Sequence, residues 1–235
     1  MPTPADALGN VLSTSKVILF DFDGPLCDVF RGLPAPSIAV ELADLLSALA
    51  PALETAARAT DDPMEVHRLS GDGGDTVLAA VEAALTVAEV RAVKVAGEPT
   101  VGAIQALSAA RESGRRVAIV SNNSSECVRE YLILHGITGL VEEVIGRPRH
   151  RPDLMKPSPH PLLSAAHAFA VAPSSTVLIG DSVTDVEAAL AAGARSIGYA
   201  NKPRKMEALV NAGADAVVPS MHPLALALTA DGWTA

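Results

Sequence analysis

Cysteine, aromatic side chains and long apolar runs are all scarce in this sequence. Its two cysteines, Cys27 and Cys127, are too few for a disulfide framework and form no CxxC motif. Because no histidine lies near Cys27 in the sequence to activate its thiol, we expect a small buried hydrophobe at this position. Aromatic residues account for 3% of the chain and hydrophobic residues for 49%. The core must therefore consist mainly of Val, Ile, Leu and Ala, which suits parallel strands covered by Ala-rich helices.

The chain also lacks the features of a membrane or secreted protein. No apolar run approaches the ~20 residues of a membrane span. Residues 1–16 have neither the cationic start nor the continuous apolar stretch of a signal peptide. We therefore expect a cytoplasmic protein without a membrane partner. The net charge of −9 argues against a nucleic-acid partner, since phosphate backbones are bound by basic surfaces, and a small phosphorylated ligand would need a local cation.

Helical and strand-like segments alternate regularly outside one interval of the chain. Short apolar runs predict strands at 17–20, 117–120, 143–145, 177–179, 196–199 and 216–218. Repeated strand–helix units predict the α/β class, with a doubly wound parallel sheet and a Rossmann-like core. Residues 29–95 show Ala- and Leu-rich helical patterns and no convincing strand. We therefore assign residues 1–28 and 96–235 to the core and residues 29–95 to an inserted α-helical cap.

Polar residues cluster where three of the predicted strands end. They are Asp21 and Asp23 after the first strand, Ser121 and Asn122 after the second, and Asp181 and Asp185 after the fourth. In open α/β sheets, ligands bind beyond the carboxyl ends of the strands. Two aspartates spaced by two in an extended chain, or by four at a helix start, share one face. The pattern therefore indicates a single site at this edge of the sheet.

The residue types at this edge suit a metal ion and a phosphoryl group. Paired carboxylates repel each other unless a cation or a proton intervenes, and an all-oxygen site suits Mg²⁺. Ser121 offers a hydroxyl group, and the backbone N–H groups near Asn122 open a helix N-terminus that attracts anions. Lys156, in the loop ahead of a predicted helix, can hold phosphoryl oxygens or restrain the charge of Asp21. The sequence thus predicts bound Mg²⁺ and a small phosphorylated metabolite as partner.

Four short motifs carry a family resemblance through the whole chain. They are DFDGPL with Asp21 and Asp23, VSNN with Ser121, MKP with Lys156, and GDSVTD with Asp181 and Asp185. Each motif alone is often only a turn or a helix cap. In this order they resemble the haloacid-dehalogenase-like hydrolase superfamily, most of whose members are phosphatases. The segment 29–95 lies where the phosphoglycolate phosphatase-like branch of that superfamily inserts a helical cap.

The resemblance implies a mechanism and a role for each matching residue. Asp21 would be the nucleophile that forms an aspartyl-phosphate, and Asp23 would protonate the leaving alcohol and then activate water. Mg²⁺ would be held by the Asp21 carboxylate, the Asp23 main-chain carbonyl and Asp181, with Asp185 assisting directly or through water. One departure is Pro25, because the family usually has Thr or Val at this position. Its missing N–H removes a possible local hydrogen bond, and its fixed φ stiffens the exit toward the cap.

Two other functions compete with that of a phosphatase acting on a phosphomonoester. A sugar phosphomutase of the same superfamily would use the same motifs and would depend on cap residues that exclude water. A non-enzymatic phosphate-binding or phospho-acceptor domain would also place an aspartate and Mg²⁺ on a doubly wound sheet. The dehalogenase branch is disfavoured because it needs no proton donor at the position of Asp23. The leaving group, its cap contacts and the oligomeric state are left open.

Two further groups of polar residues are weaker candidates. His67 and Arg68 lie between predicted helices of the cap and are candidates for contact with the leaving group, although exposed loop residues are the more typical interpretation. The run GRPRHRPD at residues 146–153 places three arginines just before Lys156. Such runs are mostly solvated loops, and a basic patch near the site would steer anions inward.

Overall fold

The computed structural model describes residues 4–230, so residues 1–3 and 231–235, the ends of the predicted core, lie outside the description. Its strands are β1 (Val17–Phe20), β2 (Arg116–Val120), β3 (Glu143–Ile145), β4 (Thr176–Gly180), β5 (Arg195–Tyr199) and β6 (Ala216–Val218). They form one sheet in the order β3-β2-β1-β4-β5-β6. Every neighbouring pair in that order is parallel. The predicted doubly wound parallel sheet is therefore confirmed.

The helices, in the sheet region and in the inserted segment, mostly follow the predicted pattern. They are α1 (Pro4–Ser13), α2 (Ala35–Leu49), α3 (Glu54–Ala57), α4 (Pro63–Ser70), α5 (Asp75–Val93), α6 (Ala103–Glu112), α7 (Ser125–Leu134), α8 (His160–Ala168), α9 (Val183–Ala192), α10 (Pro203–Asn211) and α11 (Met221–Ala230). The sequence pattern did not predict α1, α3, α4 or α11. Among the described residues, no helix combines the length and the apolar character needed to cross a membrane.

Strand β1 lies at the centre of the sheet and is buried on both faces. Ile18 and Phe20 point into one apolar cluster, whereas Val17 and Leu19 point into a second cluster on the opposite face. Each of these side chains is fully buried, and burial of one such side chain contributes about 1.5–3 kcal/mol. A strand buried on both faces needs a continuous apolar run, which explains the VILF sequence of β1. The sheet therefore holds the end of β1, and the residues that follow it, in a fixed position.

The inserted segment, residues 29–95, contains α2 to α5, and no strand is found in it among the described residues. Its apolar side chains, among them Ile38, Val66 and Leu85, join the same cluster as Phe20 of the sheet. The division of the chain into a core and a cap stays a prediction. The exposed-loop interpretation of His67 and Arg68 is wrong, because both lie in α4 and His67 is fully buried. Its ring therefore faces protein and not solvent.

The strand order fixes where a ligand can bind. The chain builds outward from β1 through β2 to β3, then returns to the other side of β1 and continues from β4 to β6. The point where this direction reverses leaves a crevice at the carboxyl ends of the central strands. The loops after β1, β2 and β4 meet at this crevice. They are the loops that carry the predicted site residues.

Candidate active site

The structure brings all seven predicted site residues together around one cavity of about 450 Å³. They are Asp21, Asp23, Ser121, Asn122, Lys156, Asp181 and Asp185. The inserted segment also lines this cavity, with Phe30, Pro36, Asp61, Asp62 and Met64. A ligand in this cavity would therefore touch both the strand-end loops and the inserted helices.

Lys156 is a buried cation placed between two aspartates. Its Nζ lies 2.8 Å from Oδ1 of Asp21 and 2.5 Å from Oδ1 of Asp185. The ammonium group also donates to the carbonyl oxygen of Val120 at 3.0 Å. Burial alone would lower the pKa of Lys156, but the carboxylates of Asp185 and Asp21 raise it above its ordinary value. Lys156 therefore stays charged and offsets the negative charge of Asp21.

Three of the predicted metal ligands form a compact carboxylate cluster. Asp21, Asp181 and Asp185 each offer an oxygen atom, and these atoms lie within 4.8 Å of one another. Burial, and next the charge of Asp185, raises the pKa of Asp21 to about 8, against the opposing effect of Lys156. Burial also raises the pKa of Asp181. The donor set is all oxygen, which fits Mg²⁺, and its three carboxylates outnumber the two ammonium groups, of Lys156 and Lys205, that contact them.

Two glycines make room for these carboxylates. Gly24 has a φ of +103°, and a Cβ atom at this position would overlap the carboxyl group of Asp181. A Cβ atom on Gly180 would likewise overlap the carboxyl group of Asp185. The backbone can therefore approach both aspartates only because neither glycine has a side chain.

Asp23 lies in the same cavity, but its carboxylate makes a different contact. Its Oδ1 accepts a hydrogen bond from the backbone N–H of Val29 at 3.0 Å. Burial raises the pKa of Asp23 to about 6, although the Val29 hydrogen bond opposes the shift. A carboxyl group with a pKa near neutrality can both donate and accept a proton. This property is the one that a general acid and base needs.

Asp181 has a cationic neighbour that the sequence did not predict. The ammonium group of Lys205, on α10, contacts its carboxylate. Lys205 opposes the upward shift of the Asp181 pKa that burial causes. Asp185 instead closes a capping box with Ser182 at the start of α9, and its Oδ2 accepts from the Ser182 hydroxyl at 2.6 Å. The two aspartates are therefore held by different partners.

Asn122 holds the loop that carries Lys156. Its side-chain Nδ2 donates to the carbonyl oxygen of Lys156 at 3.1 Å, and its Oδ1 accepts from the N–H of Lys156 at 2.8 Å. The side chain of Asn122 is therefore engaged within the protein, and an anion contact of its backbone N–H stays a prediction. Ser124 caps α7 by accepting from the N–H of Cys127 at 3.3 Å, as expected for a polar residue before a helix.

A buried ion pair next to this loop escaped the sequence analysis. Nη1 of Arg147 lies 2.7 Å from Oε1 of Glu89, and both side chains are at most 1% exposed. Glu82 and Glu89 both lie on the buried face of α5, where the helical period otherwise places apolar residues such as Leu85. Charged residues at core-facing positions of a helix are the signal that would have revealed this pair.

The arginines of residues 146–153 do not form the basic patch that was considered from the sequence. Arg147 is buried against Glu89, and Arg149 pairs with Glu126 at 2.5 Å. Arg151 pairs with Asp153 at 2.6 Å. Each arginine therefore has a carboxylate partner, and the structure gives no support to a basic patch that steers anions.

The turn that contains Pro25 is closed by its neighbours. Gly24 N–H donates to the Cys27 carbonyl at 2.6 Å, and Cys27 N–H donates to the Phe22 carbonyl at 3.0 Å. Thr100, where the chain returns from the inserted segment, donates its hydroxyl to the Gly24 carbonyl at 2.8 Å. These bonds need no N–H at residue 25, so proline is compatible with the turn. Its effect on movement of the inserted segment stays a prediction.

Neither cysteine provides a reactive thiol. Cys27 and Cys127 are both free and buried. Burial raises the pKa of both thiols above the ordinary value, so the nucleophilic thiolate is disfavoured. The prediction that Cys27 is a small buried hydrophobe is confirmed.

Comparison with known proteins places this arrangement in a family. Residues 15–193, more than half of the chain, match the model of the haloacid dehalogenase-like hydrolases. The phosphoglycolate phosphatase of Thiobacillus denitrificans is 34% identical over 138 residues, which cover 56% of this chain and 57% of that relative. The chain spans about half the length of the curated relatives that it matches first.

Solved structures agree with the fold. A HAD family hydrolase from Deinococcus radiodurans R1, with bound phosphate and sodium, is 26% identical and has a TM-score of 0.59. The match covers 94% of this chain and 97% of that chain. CbbY from Rhodobacter sphaeroides, in complex with xylulose-(1,5)bisphosphate, is 21% identical, with a TM-score of 0.62 and coverage of 88% and 95%. Most of the described fold therefore has counterparts of known structure.

Proposed function

The chain belongs to the haloacid dehalogenase-like hydrolases, and from this premise we propose that it is a Mg²⁺-dependent phosphatase. It hydrolyses a small phosphomonoester through an aspartyl-phosphate on Asp21. The observation that carries the proposal is the meeting of Asp21, Asp23, Lys156 and the carboxylate cluster at one cavity. We propose the cytoplasm as its location, from the sequence features alone.

In the first step, a carboxylate oxygen of Asp21 attacks the phosphorus atom of the substrate. The new bond joins this oxygen to phosphorus, and the bond from phosphorus to the leaving oxygen breaks. Asp23, in its protonated form, donates its proton to that leaving oxygen. Its raised pKa supports this role, because a useful fraction of the group is then protonated near neutral pH. The products of this step are a free alcohol and the phosphorylated Asp21.

In the second step, Asp23 acts as a base. Its carboxylate takes a proton from a water molecule, and the water oxygen attacks phosphorus. The bond between phosphorus and Asp21 breaks, which releases inorganic phosphate and restores both aspartates. Dividing hydrolysis into two displacements replaces one difficult step by two easier ones. Lys156, the Ser121 hydroxyl and the backbone N–H of Asn122 bind the phosphoryl oxygens in both steps.

Asp21, Asp181 and Asp185 would hold the metal ion, together with the main-chain carbonyl of Asp23. When bound, Mg²⁺ supplies positive charge that offsets the Asp21 carboxylate and the transferring phosphoryl group. With this charge and Lys156 nearby, Asp21 would be ionised and able to attack at neutral pH, in spite of the burial that raises its pKa. The fit rests on the short distances among the three carboxylates.

The inserted segment 29–95 would act as the cap and select the leaving group. Its residues Phe30, Pro36, Asp61, Asp62 and Met64 line the same cavity as the residues at the strand ends. The names of the curated relatives make phosphoglycolate the first substrate to test. The sugar bisphosphate bound by CbbY makes sugar phosphates the second class.

A substrate panel tests the proposed function. We expect the purified protein to release inorganic phosphate from at least one of phosphoglycolate, sugar phosphates, nucleoside monophosphates and p-nitrophenyl phosphate. The release should need Mg²⁺ and stop when EDTA is added. Formation of an isomeric sugar phosphate without phosphate release would instead indicate a phosphomutase. A stable phosphorylated protein without turnover would favour the phospho-acceptor alternative.

Lys205 gives a separate prediction about the metal site. Its ammonium group contacts Asp181, so it competes with a bound cation and repels it. We expect Lys205→Met to lower the Mg²⁺ concentration for half-maximal activity by about three- to tenfold. Titration calorimetry of Mg²⁺ binding should give the same change without turnover.

Lys202→Met is the matched control for Lys205→Met. It removes one positive charge from the start of the same helix, but Lys205 is the residue that contacts Asp181. The control should change the Mg²⁺ affinity by less than about twofold. Weaker Mg²⁺ binding in Lys205→Met would contradict the prediction and would indicate that Lys205 supports the metal site.

A further inference from the structure

Glu89, on α5 of the inserted segment, is a buried carboxylate that receives three different donors. Arg147 lies 2.7 Å from its Oε1, the side-chain Nδ2 of Asn123 donates to Oε1 at 3.2 Å, and the backbone N–H of Ser124 donates to Oε2 at 3.0 Å. Glu89 itself is fully buried. Two of these donors belong to residues 121–124, the loop that follows β2 and begins the predicted phosphate site. A residue of the inserted helices therefore holds a loop of the sheet.

The contact of Glu89 with Asn123 continues to Ser121. Oδ1 of Asn123 accepts from the Ser121 hydroxyl at 3.2 Å, and the Asn123 N–H donates to the same hydroxyl oxygen at 3.1 Å. Because a carboxylate only accepts hydrogen bonds, Glu89 forces the NH₂ side of the Asn123 amide toward itself. The amide oxygen must then face Ser121. The position of the Ser121 hydroxyl oxygen is therefore set through Asn123 by Glu89, and the single proton of this hydroxyl would turn from Asn123 Oδ1 to a bound phosphoryl oxygen.

Arg147 completes the arrangement from the other side of the loop. Its Nη1 donates to the Asn122 carbonyl at 3.1 Å, and its backbone N–H donates to the Asn123 carbonyl at 2.8 Å. Its Nη2 also donates to the hydroxyl of Thr86 on α5 at 3.1 Å. A buried carboxylate needs a paired cation and satisfied oxygens, and Arg147 supplies the cation. The pair thus fixes the loop through both its side chains and its carbonyl groups.

We propose that Glu89 and Arg147 are positioning residues for phosphate binding, an inference that rests on the proposed function. Neither residue lines the cavity that contains Asp21. They act through Asn123 and the loop backbone, which fix the positions of the Ser121 hydroxyl oxygen and of the Asn122 N–H that a phosphoryl group would meet. Phosphate binding and the packing of α5 against this loop are consequently coupled. Each one therefore stabilises the other. Phosphate should slow hydrogen exchange of the amides around Glu89 in α5.

The competing interpretation is that the ion pair only attaches α5 to the sheet. Replacing both residues of the ion pair distinguishes this interpretation from a positioning role. The double variant Glu89→Met/Arg147→Met leaves no buried charge unpaired, so it is expected to fold. The double variant still removes the acceptor for Asn123 and Ser124. We expect its inhibition constant for inorganic phosphate and its KM to rise together by about tenfold, with kcat changed less than about threefold. This pattern indicates lost ground-state binding of the phosphoryl group.

Glu82→Met is the matched control for the double variant. Glu82 lies on the same buried face of α5 and accepts from the His67 ring at 3.2 Å and from the His150 N–H at 2.8 Å. It makes a comparable attachment without touching residues 121–124. We expect its thermal stability to fall while the inhibition constant for inorganic phosphate stays within about twofold of the wild type. A purely structural role of Glu89 would make the two variants behave alike.

Asn123→Ala is a second variant in case the double variant does not fold. It removes the link between Glu89 and Ser121 and leaves the ion pair intact, so the same rise in the inhibition constant is expected. An unchanged inhibition constant in either folded variant would overturn the inference, even if the wild type hydrolyses phosphomonoesters. Calorimetric binding of inorganic phosphate with Mg²⁺ needs no turnover. A wild type that binds phosphate without any hydrolysis would therefore refute the phosphatase and leave this comparison valid.

Discussion

Asp21→Asn is expected to lower the rate of phosphate release by about 10⁴-fold or more, because the amide has no nucleophilic carboxylate oxygen. The variant should also take up no covalent phosphate when a substrate is supplied in excess. The side chain keeps its size at a buried position, so the fold should remain. Quenched-flow phosphate release and mass spectrometry of the intact protein are the two measurements. Turnover that survives in this variant would refute the covalent mechanism.

Asp23→Asn should fail in a different way, since Asp23 serves both steps. The amide can neither give a proton to the leaving oxygen nor take one from water, so kcat should fall by about 10²- to 10⁴-fold. A substrate such as p-nitrophenyl phosphate needs little help from an acid because its leaving group is a weak base. With this substrate, the first step should continue while the second stalls. Phosphorylated Asp21 should then accumulate in Asp23→Asn, whereas it does not in the wild type.

The control for both aspartates is Asp28→Asn, in the same loop but outside the predicted site. Its turnover should stay within about threefold of the wild type, as for a surface substitution. Unchanged turnover in Asp23→Asn would show that Asp23 is not the general acid and base. A wild type that accumulates phosphorylated Asp21 without release would instead support the phospho-acceptor alternative.

The sheet could be predicted from sequence because its strands carry a strong local signal. Residues such as Val17 and Leu19 are apolar because both faces of a central parallel strand are covered, and the polar motif begins where the strand ends. The rule that parallel strands end at one edge then places Asp21, Ser121 and Asp181 together. The positions of distant site residues could thus be predicted from the local pattern of each strand and the polar residues that follow it.

Helix α11, the last helix of the described chain, escaped prediction for a physical reason. In α11, the buried residues Met221, Leu224, Ala225 and Leu228 follow a helical period, but a proline lies near its start and few polar residues mark its outer face. Its packing against the rest of the protein decides its structure more than its own propensity does. The local sequence pattern therefore gave little indication of α11.

Glu89 and Arg147 could not be paired from sequence, because 58 positions separate them. Glu89 interrupts the apolar face of α5, which shows that a buried partner is needed but not which one. The same holds for Lys156, whose motif suggested a contact with the phosphoryl group or with Asp21. Only the fold shows that its ammonium group lies between Asp21 and Asp185. A single sequence does not show which charged residues far apart in the chain form an ion pair in the fold.

Lys156→Met is expected to lower the free energy of unfolding by about 3–5 kcal/mol when Mg²⁺ is removed with a chelator. The substitution leaves Asp21 and Asp185 buried near each other without the cation that now lies between them. Bound Mg²⁺ would replace part of that positive charge, so the unfolding midpoint of the variant should rise more with added Mg²⁺ than that of the wild type. Urea unfolding with and without Mg²⁺ measures both quantities. Turnover should also fall by about 10²- to 10³-fold, since the phosphoryl group loses a cation.

The double variant Lys156→Met/Asp185→Asn separates charge repulsion from loss of packing. Removing the Asp185 charge leaves Asp21 as the single carboxylate of the pair, so part of the lost stability should return even in the chelator. If the loss came instead from the missing contacts of the lysine chain, the second substitution would add a further loss, because Asp185 also closes the capping box of α9. Equal urea midpoints for Lys156→Met and the wild type in the chelator would refute the bridging role of Lys156. A recovery in the double variant would establish that the buried cation is needed mainly to hold two carboxylates together at the site.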